Sequence, residues 1–399
     1  MKCVLFVAYG SGHIKMLIPV AKALQASGRA QTVVLALTTA APVARAAGLD
    51  VVQFKDFVLS GDEAALARGR HMAQDLGGAV GDPHESAAYL GLSYADLEAD
   101  LGAATAEVEY RRRGRQAFMP VRTLTRILKA LRPDVVVATN APRGERAAIV
   151  AAGRLRIPAL CVVDLFAIDE VQWIGQAGYA DRVCVLNAAV REFLIAAGRR
   201  PEEVVETGNP GFDALNAPET VAAGHQWRWQ RGWGDRRVLL WPTQVEPVVH
   251  PFDGRPGDPT LPGRALQQLV QWTLARDDAV LCLRPRAGET PPDVPAHERI
   301  VITGQDLHLP TLLHACDLVV TLSSTVGLEG HLAGCRLVQV TGSVFDDAMP
   351  LLRYGIADAA VPVQALPSAL DRWAIAPRRT AQNLTPATQR VLSQITTFL

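Results

Sequence analysis

Short runs of consecutive apolar residues alternate along this chain with stretches in which apolar positions recur every three or four residues. The runs fall at 4–8, 32–37, 51–54, 135–138, 159–163, 182–185 and 204–206. A second series follows at 238–241, 279–283, 300–302, 318–321 and 337–340. Continuous Val/Ile/Leu/Ala runs with no polar alternate suit strands covered on both faces of a parallel sheet. Helical patterns lie between them, for example over 15–27 and 311–315. Strand-then-helix repetition predicts doubly wound α/β sheets, and the two series predict two Rossmann-like domains.

The boundary is expected just after Thr207-Gly-Asn-Pro-Gly-Phe-Asp213, where the periodicity weakens and Trp227, Trp229 and Trp233 cluster among arginines. The expected division is a first domain over 1–214, a second over 215–385, and a last helix over 386–399 that packs back on the first domain. Residues 59–116 read as a helical, polar insertion with a basic run at Arg111–Arg113 and Arg115, and residues 250–263 as a loop.

Composition narrows the function classes. The chain has 399 residues, 49% hydrophobic and 20% charged, which suits two globular domains. Forty basic side chains balance forty acidic ones, so no long-range field favours nucleic acid, and a bound anion must be held by local donors. The six cysteines are scattered singly through apolar runs, as buried thiols in a reducing compartment would be. The chain begins on a strand-like run rather than a secretory pattern and has no apolar stretch long enough to span a bilayer. A cytoplasmic location with no membrane span is the expectation, peripheral membrane contact remaining compatible with it.

Candidate chemistry collects at strand ends. Ala8-Tyr-Gly-Ser-Gly-His13 links a strand to a helix. Gly10 and Gly12 expose backbone N–H groups there, and His13, with an ordinary pKa near neutrality, is a candidate general base. The spacing lacks the third glycine of a dinucleotide fingerprint, which disfavours an oxidoreductase. Asp164, after the run 159–163, is a second candidate base, and Asn140 at another strand end is a candidate cleft residue. In the second series, Ser323, Ser324 and Thr325 offer hydroxyls and free N–H groups at a helix start, with the Glu329 carboxylate one turn on. Arg284 and Arg286 end one strand and Thr243 another, where arginines clamp phosphate oxygens. No Asp-x-Asp pair is present to hold a metal-bound pyrophosphate, so no metal is expected.

Taken in order, these segments resemble the GT-B glycosyltransferase superfamily, including its UDP-N-acetylglucosamine 2-epimerase branch and its capsule and surface-glycan transferases. The motifs are Gly10-Ser-Gly-His13, Thr207-Gly-Asn-Pro-Gly-Phe-Asp213, Val238-Leu-Leu-Trp-Pro-Thr243 and Ser323-Ser-Thr-Val-Gly-Leu-Glu329 with Ala333-Gly334. The resemblance implies two Rossmann-like domains facing across a cleft, the second holding a nucleotide-sugar donor. Ser323, Ser324 and Thr325 would meet phosphate, Glu329 the ribose, and Thr243, Arg284 and Arg286 the rest of the nucleotide. A glycan, lipid-carrier or small-molecule hydroxyl acceptor would lie near Gly10, Gly12, His13, Asn140 and Asp164. The reaction implied is an inverting, metal-independent transfer by a His or Asp base in polysaccharide biosynthesis, with no cofactor, the nucleotide sugar being a substrate.

The departures bear on the alternatives. The epimerase branch typically has carboxylates after the fourth and fifth strands and a His-Arg motif early in its second domain. Here the comparable positions read Thr139-Asn140, Val162-Val163-Asp164 and Thr243-Gln244. Arg284-Pro-Arg-Ala287 stands where CMP-sugar capsule transferases often carry Arg-Pro-His-Pro, leaving UDP, GDP, dTDP and CMP open. A sugar-nucleotide epimerase and a non-catalytic nucleotide-sugar-binding protein are the alternative expectations.

Overall fold

The computed structural model describes residues 1–75, 81–251, 253–379 and 385–399. Two compact units emerge, one formed by Met1–Gly211 with Thr385–Leu399 and the other by Phe212–Leu384.

The first unit is built on seven parallel strands: β1 (Lys2–Ala8), β2 (Ala30–Ala36), β3 (Val51–Val52), β4 (Val135–Thr139), β5 (Ala159–Val162), β6 (Arg182–Val185) and β7 (Val204–Glu206). Their order is β3-β2-β1-β4-β5-β6-β7. The chain winds outward in one direction from β1 and then returns to pass it in the other, so β1 and β4 meet at the switch point. Ligands bind at the carboxyl ends of strands at such a point. Strands β1, β4 and β5 are covered on both faces, which is why they read as unbroken apolar runs. The last helix, Ala387–Thr396, sends Val391 and Ile395 into the same core as Val4, Phe6, Leu17 and Val20.

The second unit has six parallel strands: β8 (Arg237–Pro242), β9 (Ala279–Arg284), β10 (Ile300–Ile302), β11 (Leu318–Thr321), β12 (Arg336–Thr341) and β13 (Ala359–Pro362), in the order β10-β9-β8-β11-β12-β13. Strand β13 has no counterpart among the sequence-based expectations. It is an edge strand of half-buried and exposed residues ending in proline, so it lacks the apolar run that marks the others.

The helical stretch after β3 is less polar in its surroundings than its composition suggests. Helix Pro83–Leu101 is capped by Asp82, whose side chain accepts the His84 N–H, and it buries the whole run from Ala87 to Tyr94. It crosses helix Glu63–Asp75 backbone to backbone: a Cβ on Gly69 would lie 2.0 Å from the Ala87 carbonyl oxygen. The crossing carries Tyr89 inward, with ring centroids 5.4 Å from Tyr9 and 5.5 Å from Phe54. The insertion thus reaches the residue that follows β1.

All six cysteines are free, and all but Cys3 are buried. No described helix is long and apolar enough to cross a membrane.

Candidate active site

Because β4 lies beside β1 and β5 beside β4, the segments leaving their carboxyl ends stand side by side, about 5 Å apart. Each contributes one piece of a polar cluster. After β1 the chain passes Tyr9 and Gly10 into helix Ser11–Ala26, whose first turn presents His13. Strand β4 ends in the buried Thr139, the buried Asn140 follows it, and the next helix, Gly144–Leu155, carries Glu145 in its first turn. Past β5 come Asp164 and, six residues later, Glu170.

His13 sits between two carboxylates. Its Nδ1 lies 2.8 Å from Thr139 Oγ1 and 3.6 Å from Glu145 Oε1, and its Nε2 lies 3.6 Å from Asp164 Oδ2. Glu145 is fully buried; its Oε1 accepts the Tyr9 N–H at 2.5 Å, and its Oε2 has no hydrogen-bond partner among the described residues. Asp164 Oδ1 accepts from Asn140 Nδ2 at 2.9 Å and from the Leu165 N–H at 2.7 Å, which leaves Oδ2 turned to the histidine. The Asn140 amide also donates to Glu170 Oε1 at 3.3 Å, so one side chain joins two carboxylates. Asn209, after β7, fixes the loop by donating to the Asp164 carbonyl at 3.0 Å.

This environment sets the charges. Burial opposes the imidazolium, but Asp164 and Glu145 together outweigh it and hold His13 up to about 10. Burial works against the Asp164 carboxylate as well. The hydrogen bond and charge of His13, with Asn140 and the Leu165 N–H, overcome it and hold Asp164 below its ordinary value. For Glu170 burial prevails, and the charges of Asp164 and Asp169 add to it, lifting the pKa to about 7. The two facing carboxylates therefore favour the imidazolium form of His13 and displace its titration upward from the near-neutral range expected of a free base.

Gly10 is extended, with φ −117°, and a Cβ on Gly10 or Gly12 would meet nothing within 4 Å. Neither is required by a tight turn.

The second unit carries the other candidates. Gly327 and Gly330 let helix Thr325–Leu332 lie close on its sheet: a Cβ on Gly330 would fall 2.5 Å from Val319 Cγ2. Ser324 caps that helix by accepting the Val326 N–H, and Gln244 Oε1, from the loop after β8, accepts the Ser323 N–H at 2.8 Å. Thr325 is exposed at the helix start. Glu329 is half-buried, burial alone raises its pKa, and no described residue pairs with its carboxylate. The remaining candidates are engaged elsewhere. Thr243 Oγ1 donates to Glu289 Oε2 at 2.6 Å, Arg286 Nε donates to that same oxygen at 3.3 Å, and Arg284 binds the Gly304 carbonyl. Ser323, Ser324, Thr325 and Glu329 thus share one helix start, whereas Arg284 and Arg286 answer to protein partners before any ligand.

Glu145, Glu170, Glu246 and Glu289 escaped the sequence reading. Glu246 is buried and accepts from Ser343 Oγ at 2.8 Å and the Val344 N–H at 2.7 Å. Each sits in a loop or first helical turn, where glutamate is ordinary, so the sequence carries no signal for it beyond a place just after a strand.

No protein-family model and no curated protein matches the sequence. Solved structures do. A UDP-GlcNAc 2-epimerase from Methanocaldococcus jannaschii matches over 100% of both chains, with a TM-score of 0.56 at 12% identity. CalG4, the calicheamicin glycosyltransferase, matches over 100% of this chain and 98% of its own, with a TM-score of 0.57 at 16% identity. The glycosyltransferase SnogD from Streptomyces nogalater matches over 99% and 95%, with a TM-score of 0.50 at 17% identity. The chain therefore has the GT-B fold, shared by glycosyltransferases and UDP-GlcNAc 2-epimerases.

Proposed function

We propose that this chain is a nucleotide-sugar enzyme and that it transfers the sugar to a hydroxyl acceptor in glycan assembly. The observation that carries the reading is His13 held between Glu145 and Asp164 at the carboxyl edge of a Rossmann-like sheet. Glu329, whose carboxylate pairs with no described residue, lies beside the Ser323–Thr325 helix start and supports a nucleotide site in the second unit.

In the transfer, the acceptor oxygen forms a bond to the anomeric carbon as the carbon–oxygen bond to phosphate breaks, and the electron pair leaves with the nucleoside phosphate. The acceptor proton goes to Asp164 Oδ2, the oxygen not already saturated by Asn140 and Leu165. His13 is the charged partner that orients Asp164, and Glu145 and Thr139 hold its Nδ1 face. Backbone N–H groups at the start of helix Thr325–Leu332 and the hydroxyls of Ser323 and Thr325 stabilise the departing phosphate. Glu329 accepts from the ribose diol. This scheme draws on no metal or cofactor.

One observation favours a second reading. Asp164 and Glu170 share the Asn140 amide, one carboxyl held low and the other lifted to about 7. Two carboxyls pushed apart in this way form an acid–base pair, which is what removing and returning a proton at a sugar carbon needs. A calorimetric screen of UDP, GDP, dTDP and CMP sugars, followed by proton NMR of each binder, separates the two. Transfer predicts a donor stable alone and consumed with acceptor, and Asp164→Asn lowers turnover by roughly 10²–10⁴ while donor binding survives. A second sugar nucleotide appearing without acceptor establishes the epimerase instead. No binding by any nucleotide sugar refutes both.

A further inference from the structure

Asn140 serves two carboxyls from one nitrogen, and a backbone group decides which way its amide points. Asn140 Oδ1 accepts the Asp164 N–H at 3.1 Å. Only the amide oxygen can accept that hydrogen, so the amide nitrogen faces the other way. That nitrogen donates to Asp164 Oδ1 at 2.9 Å and to Glu170 Oε1 at 3.3 Å, which uses both of its hydrogens. Asn140 is 2% exposed. Buried, with both donors spent on protein, it has no N–H left for the acceptor contact expected of a residue at this strand end.

The same side chain fixes the backbone that carries Asp164. Strands β4 and β5 are neighbours with Thr139 opposite Val162, so Asn140 stands across from the segment leaving β5. Asn140 holds the Asp164 N–H, and Asn209 donates to the Asp164 carbonyl at 3.0 Å. What is left to settle is the rotation of the carboxylate. The Asn140 amide and the Leu165 N–H both take Oδ1, and Oδ2 comes to lie 3.6 Å from His13 Nε2. The last torsion of an aspartate is broad and roughly two-fold, so the Leu165 N–H alone could be satisfied by either oxygen.

The two carboxyls that share Asn140 are unequal. Asp164 has two donors on one oxygen and His13 at the other. Glu170 has the longer Asn140 bond, pairs with no described cation, and feels the charge of Asp169 in its own loop. Of the other groups packed here, Glu145 faces the far side of His13, and the buried Cys161 thiol of β5 feels both carboxylates.

We propose that Asn140 is the positioning residue of this site: its amide turns Asp164 Oδ2 to His13 and makes Asp164, rather than Glu170, the base. That the aligned oxygen takes a proton from a hydroxyl rests on the transfer reading, whereas the alignment itself does not.

Two replacements separate the donors from the bulk of the side chain. Asn140→Ser keeps an oxygen for the Asp164 N–H but is too short to span both carboxyls. Asn140→Asp keeps the size and the accepting oxygen and replaces both donors by an anion. Histidine NMR titration of the full chain reads His13, and carboxyl 13C NMR reads Glu170, assigned through Glu170→Gln. In Asn140→Ser the His13 pKa should fall by about half a unit as Asp164 turns away. In Asn140→Asp the Glu170 pKa should rise from about 7 by about one unit, a tenfold change in its ionisation, through a lost donor and an added like charge. In the wild type the Asn140 side-chain N–H signals should shift as Glu170 titrates near 7, a readout that survives if a variant fails to fold. With the UDP, GDP, dTDP and CMP sugars as probes, Asn140→Ser should lower kcat for nucleotide release roughly tenfold, leave KM within about twofold, and add nothing to the loss in Asp164→Asn. Unmoved His13 and Glu170 titrations, Asn140 signals indifferent to Glu170, or a raised KM at constant kcat overturn the proposal. Shifted titrations in a chain that binds none of the nucleotide sugars keep Asn140 as the positioning residue and remove the transfer reading.

Discussion

Replacing Glu145 by glutamine tests the electrostatics on which the candidate site depends. The amide of Glu145→Gln would keep an oxygen for the Tyr9 N–H but remove one of the two anions that hold the His13 proton. His13 is raised from 6.5 to about 10 in spite of burial. At 1.36 kcal/mol per pKa unit, that rise corresponds to about 5 kcal/mol of preference for the imidazolium, before any allowance for solvent. The His13 side chain is 28% exposed, and a discount of about half for screening leaves roughly 2–3 kcal/mol shared between the two carboxylates. Loss of one is therefore expected to lower the His13 pKa by about 1 unit.

The sign of the linkage follows from the folded pKa lying above the unfolded one. The contribution of His13 to stability is complete below 6.5 and is lost as the pH rises towards 10. Histidine-selective NMR titration of the full chain, with His13 assigned among the nine histidines through His13→Gln, reads the pKa directly. Urea unfolding between pH 6 and 10 reads the linkage, which shrinks in Glu145→Gln. A wild-type His13 that titrates near 6.5, or one that Glu145→Gln leaves unmoved, refutes the reasoning.

Other outcomes follow from the same structure. A transfer that relies on Asp164 with a charged His13 keeps its rate through the range where a free histidine base would fail. A pH–rate profile should be level below 6.5 and fall as His13 loses its proton near 10, and a drop centred on 6.5 would contradict the assignment. Glu170, lifted to about 7, opposes folding once ionised, so Glu170→Gln should gain up to about 3 kcal/mol above pH 7 and little below 4.5, read by urea unfolding. Glu329→Ala should weaken nucleotide binding at least tenfold in calorimetry while Ser324→Ala costs about 1 kcal/mol of stability through the lost cap. Gly69→Val should destabilise by several kcal/mol, because the 2.0 Å approach to the Ala87 carbonyl can be relieved only by separating two helices, and an unchanged melting temperature would show that they are not packed this way.

Much of this protein was legible from residue order. Strands buried on both faces must be apolar throughout, so β1, β4, β5, β8, β9 and β11 announce themselves as unbroken runs, and their alternation with helices already implies parallel sheets. Candidate groups such as His13, Asp164 and Glu329 were visible because they follow those runs, where α/β folds expose side chains. Edge strand β13 was not visible, since half-exposure removes the apolar pattern. Only the tertiary structure decided which strand ends meet. The order β2-β1-β4-β5 brings residues 13, 145 and 164 together, over separations that no local pattern encodes. It also decided their charge, because burial and two facing carboxylates turn a near-neutral histidine into a persistent cation. A pKa belongs to an environment, and the environment exists only once distant segments have packed.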